Sequence, residues 1–142
     1  MTKRILFICT GNFYRSRFAE AVFNHHAILE GLSWTAFSRG LAIHLAEGSL
    51  SPFTLHALTA RQIDLRHTGP DRTSLSDDDF LQSERQIAMD RAEHYPMMQQ
   101  CFPKWADKIL YWDVSDLPLR QPYEALPEIE LRVTQLFEEI SE

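Results

Sequence analysis

The chain of 142 residues has only two cysteines, Cys9 and Cys101. That excludes a small domain stapled by disulfides, and the pair has no disulfide spacing. Glycine and proline are few, at 5 and 7, which excludes collagen-like and low-complexity chains. No apolar run approaches the roughly 20 residues of a membrane span. Met1-Thr-Lys-Arg4 is followed by five apolar residues before Thr10, too few for the core of a signal peptide. Basic residues are outnumbered 14 to 20, and the net charge is −6. A nucleic-acid binder needs clustered Lys and Arg, so that class is excluded as well. The six histidines show no ligand spacing with carboxylates, so neither a metal nor a cofactor is expected. The expectation from these absences is a cytoplasmic protein with reduced thiols and no membrane or nucleic-acid partner; a monomer or weak dimer is expected, though no sequence feature sets the oligomeric state.

What remains is enough for one core. The chain is 44% apolar and 24% charged, which argues against disorder. Its length bounds it to a single domain, residues 1–142.

The chemistry concentrates in Arg4-Ile-Leu-Phe-Ile-Cys-Thr-Gly-Asn-Phe-Tyr-Arg-Ser16. Ile5 to Ile8 read as a buried strand. A short polar turn follows, and then a helix. Cys9 sits at the strand end and Arg15 at the helix start. Gly11 and Asn12 between them tolerate positive φ. Thr10, Gly11, Asn12, Phe13 and Tyr14 can therefore aim backbone N–H groups into one concavity, a nest for an anion. The helix N-terminus adds free donors and partial positive charge. Arg15 adds a planar fork that matches two oxygens of a tetrahedral oxyanion. The same field favours the thiolate of Cys9, which is the nucleophilic form. Ser16 can donate to the sulfur and help it leave in a second step. Bare Cys-x5-Arg spacing is a weak signal. The strand before, the helix after, Gly-Asn inside and Ser behind make it specific.

Along the chain, strands and helices alternate. The first helix spans about Ser16 to Glu30, with Phe18, Ala21, Val22, Ile28 and Leu29 as its apolar stripe. A second strand spans Leu32 to Ser38, and a loop follows from Arg39 to Ser49. Ser51-Pro52 caps and opens a helix to about Gln62. Ile63 to Ser74 is irregular. Ser76-Asp-Asp-Asp79 opens a short helix. Gln86 to Met89 is a third strand, and Asp90-x-x-Glu93 reads as another cap. Pro96 and Pro103 interrupt the next helical stretch. Lys108 to Asp113 is a fourth strand. Ile129, Val133, Leu136, Phe137 and Ile140 lie on one face of a final helix. Strands separated by helices imply a parallel sheet with right-handed crossovers. The expected fold is three-layer α/β, four parallel strands in the order 2-1-3-4 with helices on both faces. Ligands bind such sheets beyond the strand C-termini, where the loop after strand 1 lies.

Cys9-Thr-Gly-Asn-Phe-Tyr-Arg-Ser16 resembles the signature loop of the low-molecular-weight protein tyrosine phosphatases, which also opens the chain after the first strand. The order of elements is similar too. Phe37-Ser-Arg-Gly40, Ile63-Asp-Leu-Arg-His67, Leu75 to Phe80 and Ala88-Met-Asp90 also match family segments. The resemblance implies a phosphotyrosine phosphatase I-like fold and hydrolysis of a phosphate monoester, above all protein phosphotyrosine, through a phosphocysteine on Cys9. It implies that Asn12, Ser38 and His67 hold the loop in shape. It also implies an acid in the loop after strand 4, where the family has Asp before Pro. Here Tyr111-Trp-Asp-Val-Ser-Asp-Leu-Pro118 offers Asp116 and Asp113. Asp116 is preferred, because Asp113 continues the strand, and Asp90 is next in line.

Several positions depart from the family. Tyr14 replaces a second Cys before the Arg. Leu117, Pro118 and Leu119 stand where Tyr residues commonly wall the aromatic ring, and His44 and Leu45 where a second-loop aromatic often stands. About three extra residues lie between His67 and Phe80. The substrate is thus a phosphorylated protein or a small phosphomonoester. A phosphoarginine protein, arsenate reduction and phospho-ligand binding without catalysis stand as alternatives.

Overall fold

The computed structural model describes residues 2–140. The elements are β1 Lys3–Cys9, α1 Arg15–Leu29, β2 Trp34–Gly40, α2 Pro52–Ala60, α3 Asp77–Leu81, β3 Arg85–Ala88, α4 Arg91–Cys101, β4 Leu110–Tyr111 and α5 Pro122–Ile140. Short 3-10 turns lie at Ile43–Leu45 and Leu65–His67. The four strands pair in parallel in the order β2-β1-β3-β4. The order read from the sequence therefore holds.

Alternation along β1 builds two cores. Ile5, Phe7 and Cys9 face one layer with α1, α2 and α5. Leu6 and Ile8 face the other, with Phe80 of α3 and Met98 of α4. The period of two thus puts the Cys9 side chain on the α1 side of the sheet. Two starts follow the sequence signals. Ser51 Oγ accepts from Phe53 N ahead of Pro52. Asp79 Oδ2 accepts from Ser76 N in a capping box.

Several elements differ from expectation. β2 starts at Trp34 and runs on to Gly40, because Leu32 N bonds Ala27 O and is spent closing α1. The last turn of α1 stands clear of the core, so Ile28 and Leu29 are exposed rather than part of the buried stripe. β4 shrinks to two residues. Lys108 N is used in a turn to Trp105 O, and Asp113 makes only an isolated antiparallel bridge to Asp90. Pro96 does not interrupt α4. Pro96 and Ala92 are both exposed, so water can serve the carbonyl that the ring leaves unbonded. The final helix, given no start by the sequence, runs from Pro122 to Ile140 and buries Ile129, Val133 and Leu136. No described helix is long and apolar enough to cross a membrane.

Candidate active site

β1 ends at Cys9 and α1 begins at Arg15, so the intervening loop wraps the first free N–H groups of the helix. Asn12 takes φ 49° at its apex. Gly11 keeps an ordinary negative φ and is needed instead for space. A Cβ there would lie 2.9 Å from Ala46 Cβ. At the end of β2, a Cβ on Gly40 would lie 2.9 Å from both Asn12 N and Thr10 O. Only glycine lets that strand approach the loop.

Behind the loop runs a buried chain of hydrogen bonds. Asn12 Nδ2 donates to Ser16 Oγ at 3.0 Å and to Ser38 Oγ at 2.9 Å. Ser16 Oγ lies 2.9 Å from Cys9 Sγ. Because Ser16 accepts from Asn12, its own proton is free to point at the sulfur. Ser38 donates to Glu20 Oε1 at 2.6 Å, and Thr68 Oγ1 donates to the same oxygen at 2.8 Å. Burial pushes the Glu20 carboxyl up to about 7, against the pull of those two hydroxyls and of Arg17. Arg17 binds Thr68 Oγ1 at 2.6 Å and the Ser49 and Gly69 carbonyls. The sequence reading missed Glu20. Its signal was an acid in an otherwise apolar run, Phe18 to Phe23.

Expectation and structure part at His67. Its ring packs on His25, centroids 5.8 Å apart, and not on Asn12. Asn12 Oδ1 accepts instead from Thr73 N at 2.8 Å. The longer chain between His67 and Phe80 carries Thr73 to the place the histidine was expected to fill. Burial, then the Arg66 charge, holds the His67 pKa down.

Arg15 is 1% exposed. Its Nη1 donates to Val114 O at 2.9 Å, and its Nη2 to Glu93 Oε2 at 2.8 Å. Asp116 Oδ2 lies 3.4 Å from the same Nη2. Glu93 Oε2 also accepts from Thr10 Oγ1 and lies 3.1 Å from His94 Nε2. His94 Nδ1 accepts from Asp90 N at 3.1 Å, which leaves the ring proton on Nε2, facing Glu93. Burial alone would raise the Glu93 pKa. The hydrogen bonds from His94 and Arg15 outweigh it and hold the carboxyl well below the usual carboxylate range. Burial would likewise lower the Arg15 pKa, but Glu93, Cys9 and Asp116 raise it. Glu93 was read from the sequence only as a helix cap, and nothing local could have paired it with Arg15.

The loop floors a cleft of about 480 Å³. Cys9, Thr10, Gly11, Phe13, Tyr14 and Arg15 form its base, while Asn12 and Ser16 lie behind it. Leu45, Ala46 and Glu47 form one wall, Ser51, Pro52 and Phe53 another, and Asp116 with Leu117 the lip. His44 does not line it. Phe53 is an aromatic wall that the sequence reading did not anticipate. Asp113 lies outside the cleft and pairs with Arg132 of α5. Asp90 holds the N-cap position of α4, also outside the cleft. It is 6% exposed, and burial, then Glu93, raises its pKa. Both cysteines are free; Cys101 is exposed at the far end of α4.

A family model described as low molecular weight phosphotyrosine protein phosphatase matches residues 4–142. The chain is 30% identical over 105 residues to the protein-arginine-phosphatase of Bacillus subtilis, covering 74% of this chain and 67% of that protein. The structure of a low molecular weight protein tyrosine phosphatase from T. tengcongensis superposes with a TM-score of 0.82, at 26% identity, covering 98% of this chain and 100% of that one. The YwlE arginine phosphatase, solved as a mutant with a phosphorylated active site serine, superposes at 0.80 with 24% identity, over 98% and 96% of the two chains. The chain belongs to the low molecular weight phosphotyrosine protein phosphatase family.

Proposed function

We propose that this hydrolase removes phosphate from protein phosphotyrosine through a covalent phosphocysteine at Cys9. The observation that carries the reading is Cys9 Sγ, 2.9 Å from the Ser16 hydroxyl, on the floor of a cleft whose arginine is anchored on two sides. The loop N–H groups and Arg15 hold the phosphate dianion. The sulfur attacks phosphorus, the P–O bond to the leaving group breaks, and Asp116 gives that oxygen a proton. Water then attacks phosphorus and loses a proton to the Asp116 carboxylate. The S–P bond breaks, and Ser16 donates to the departing thiolate. Asp116 begins beside Arg15. A dianion in the cradle competes for that guanidinium and draws it from the Asp116 carboxyl. Phe13, Phe53, Leu45 and Leu117 give the cleft apolar sides suited to an aryl ring.

Asp116→Asn should slow hydrolysis of phenyl phosphate by about 10²–10⁴-fold. The loss on p-nitrophenyl phosphate should be far smaller, because that phenolate leaves without help. The alkaline fall of the pH–rate profile should flatten. The same pattern in Asp113→Asn, with Asp116→Asn unaffected, would transfer the role to Asp113.

A phosphoarginine protein is the second reading. It is favoured by the Glu47 carboxylate on the cleft wall, a partner for a guanidinium, and by the relative of that name. Comparing kcat/KM on phosphotyrosine and phosphoarginine peptides separates the two. Arsenate reduction needs a second thiol to take the disulfide. Cys101 lies eight residues along α4 from Glu93, about 12 Å by helical rise.

That separation also bears on oxidation. Tyr14 stands where a neighbouring thiol would protect the nucleophile. Peroxide should inactivate the enzyme by carrying Cys9 past sulfenic acid, with little recovery in dithiothreitol. A Cys9–Cys101 disulfide in mass spectra would refute this. The two free thiols suit the cytoplasm, and we read the chain as one catalytic domain acting as a monomer or weak dimer.

A further inference from the structure

Tyr14 is the residue that the chemistry above leaves unused. It is 7% exposed, and its hydroxyl is the one buried side-chain oxygen or nitrogen without a hydrogen-bond partner among the described residues. An orphaned buried hydroxyl destabilises a fold, and phenylalanine would fill the same space without it. A partner that arrives only during the reaction accounts for the group.

The ring itself is well placed. It meets Phe53 edge-on, centroids 6.3 Å apart, and the Tyr14 carbonyl accepts from Thr54 Oγ1 at 2.9 Å. The charges that act on its phenol are those of Asp116, Arg15 and Arg120. Burial first, and Asp116 next, push its pKa up to about 12. The phenol therefore keeps its proton at neutral pH and remains a donor. Asp116 lines the same cleft and is only half buried. Its Oδ2 lies 3.4 Å from Arg15 Nη2, and its Oδ1 accepts only from the adjacent Leu117 N. A phosphate in the cradle takes the arginine fork and leaves that carboxyl without its cation.

We propose that Tyr14 is a positioning residue for the acid, its hydroxyl donating to the Asp116 carboxyl once phosphate has engaged Arg15. The proposal rests on Asp116 being the proton donor. As the S–P bond forms and the P–O bond breaks, Asp116 passes its proton to the leaving oxygen and becomes a carboxylate. Tyr14 keeps its own proton and stabilises the new charge. In the second step the same carboxylate, held in the same place, takes the proton of the attacking water.

The test compares Tyr14→Phe, Asp116→Asn and the double variant on phenyl phosphate and p-nitrophenyl phosphate, with a thermal melt of each. Tyr14→Phe should melt at or above the wild-type temperature. Its kcat on phenyl phosphate should fall about tenfold to hundredfold, the range for a hydrogen bond to a charged group. Its kcat on p-nitrophenyl phosphate should fall less than about threefold. The double variant should be no slower than Asp116→Asn, because both changes act through one group. Equal losses on the two substrates, no loss, or additive losses in the double variant would overturn the proposal while the acid assignment stands. If Asp116→Asn itself shows no leaving-group dependence, the acid assignment falls and the proposal falls with it.

Discussion

Cys9→Ser should lose turnover by at least about 10³-fold while still binding vanadate. The side chain is 2% exposed at the buried end of β1, and serine nearly matches its shape, so the melting temperature should change little. The chemistry changes in both steps. A hydroxyl at neutral pH is protonated and attacks phosphorus poorly. If it does attack, the phosphoserine has an alkoxide leaving group, far worse than a thiolate, and Ser16 cannot make up the difference. The variant should therefore accumulate a phosphoryl adduct, visible by intact mass, rather than turn over. Turnover within tenfold of wild type would rule out the phosphocysteine mechanism.

Arg15→Lys should be nearly as damaging, with kcat/KM lower by about 10²–10³-fold and weaker phosphate binding. The wild-type guanidinium bonds Val114 O with one nitrogen and Glu93 with another. Those two anchors set its plane, and the plane sets the fork that meets two phosphate oxygens. Lysine has one compact head. If it stays with Glu93 it reaches the phosphate as a point charge at best, and if it turns to the phosphate it leaves Glu93 and Val114 O behind. The loss of those buried partners should also cost about 1–3 kcal/mol of stability, read as a lower melting temperature. Near-normal kcat/KM in this variant would remove Arg15 from the site.

How much of this was legible in advance varies with sequence distance. Cys9, Asn12, Arg15 and Ser16 lie within eight residues, and strand, turn and helix signals around them restrict the backbone to a nest. Ser38 was read through the family resemblance of Phe37-Ser-Arg-Gly40, and its hydroxyl does accept from Asn12. His67 was misread, because a longer following loop brings Thr73 N to Asn12 instead. Choosing Asp116 over Asp113 rested on strand alternation and on nearness to Pro118. In the structure Asp116 lies beside Arg15, and Asp113 pairs with Arg132. α4 was harder to read, because a proline in the middle of a helix is penalised by every local rule and tolerated only where the freed carbonyl meets solvent.

The sequence by itself determined the alternation of strands and helices and the placing of Cys9, Asn12, Arg15 and Ser16 along one strand–turn–helix. These follow from short-range periodicity and from backbone geometry within a few residues. Only the tertiary structure decided what holds the arginine, what holds the loop and what walls the cleft. Glu93 is 78 residues from Arg15 and Val114 is 99, and Phe53 reaches the cleft from α2. A hydrogen bond tolerates only a few tenths of an ångström in length and about 30° in angle. Contacts that exacting between distant segments are set by how helices seat on the sheet, and no local pattern encodes that seating.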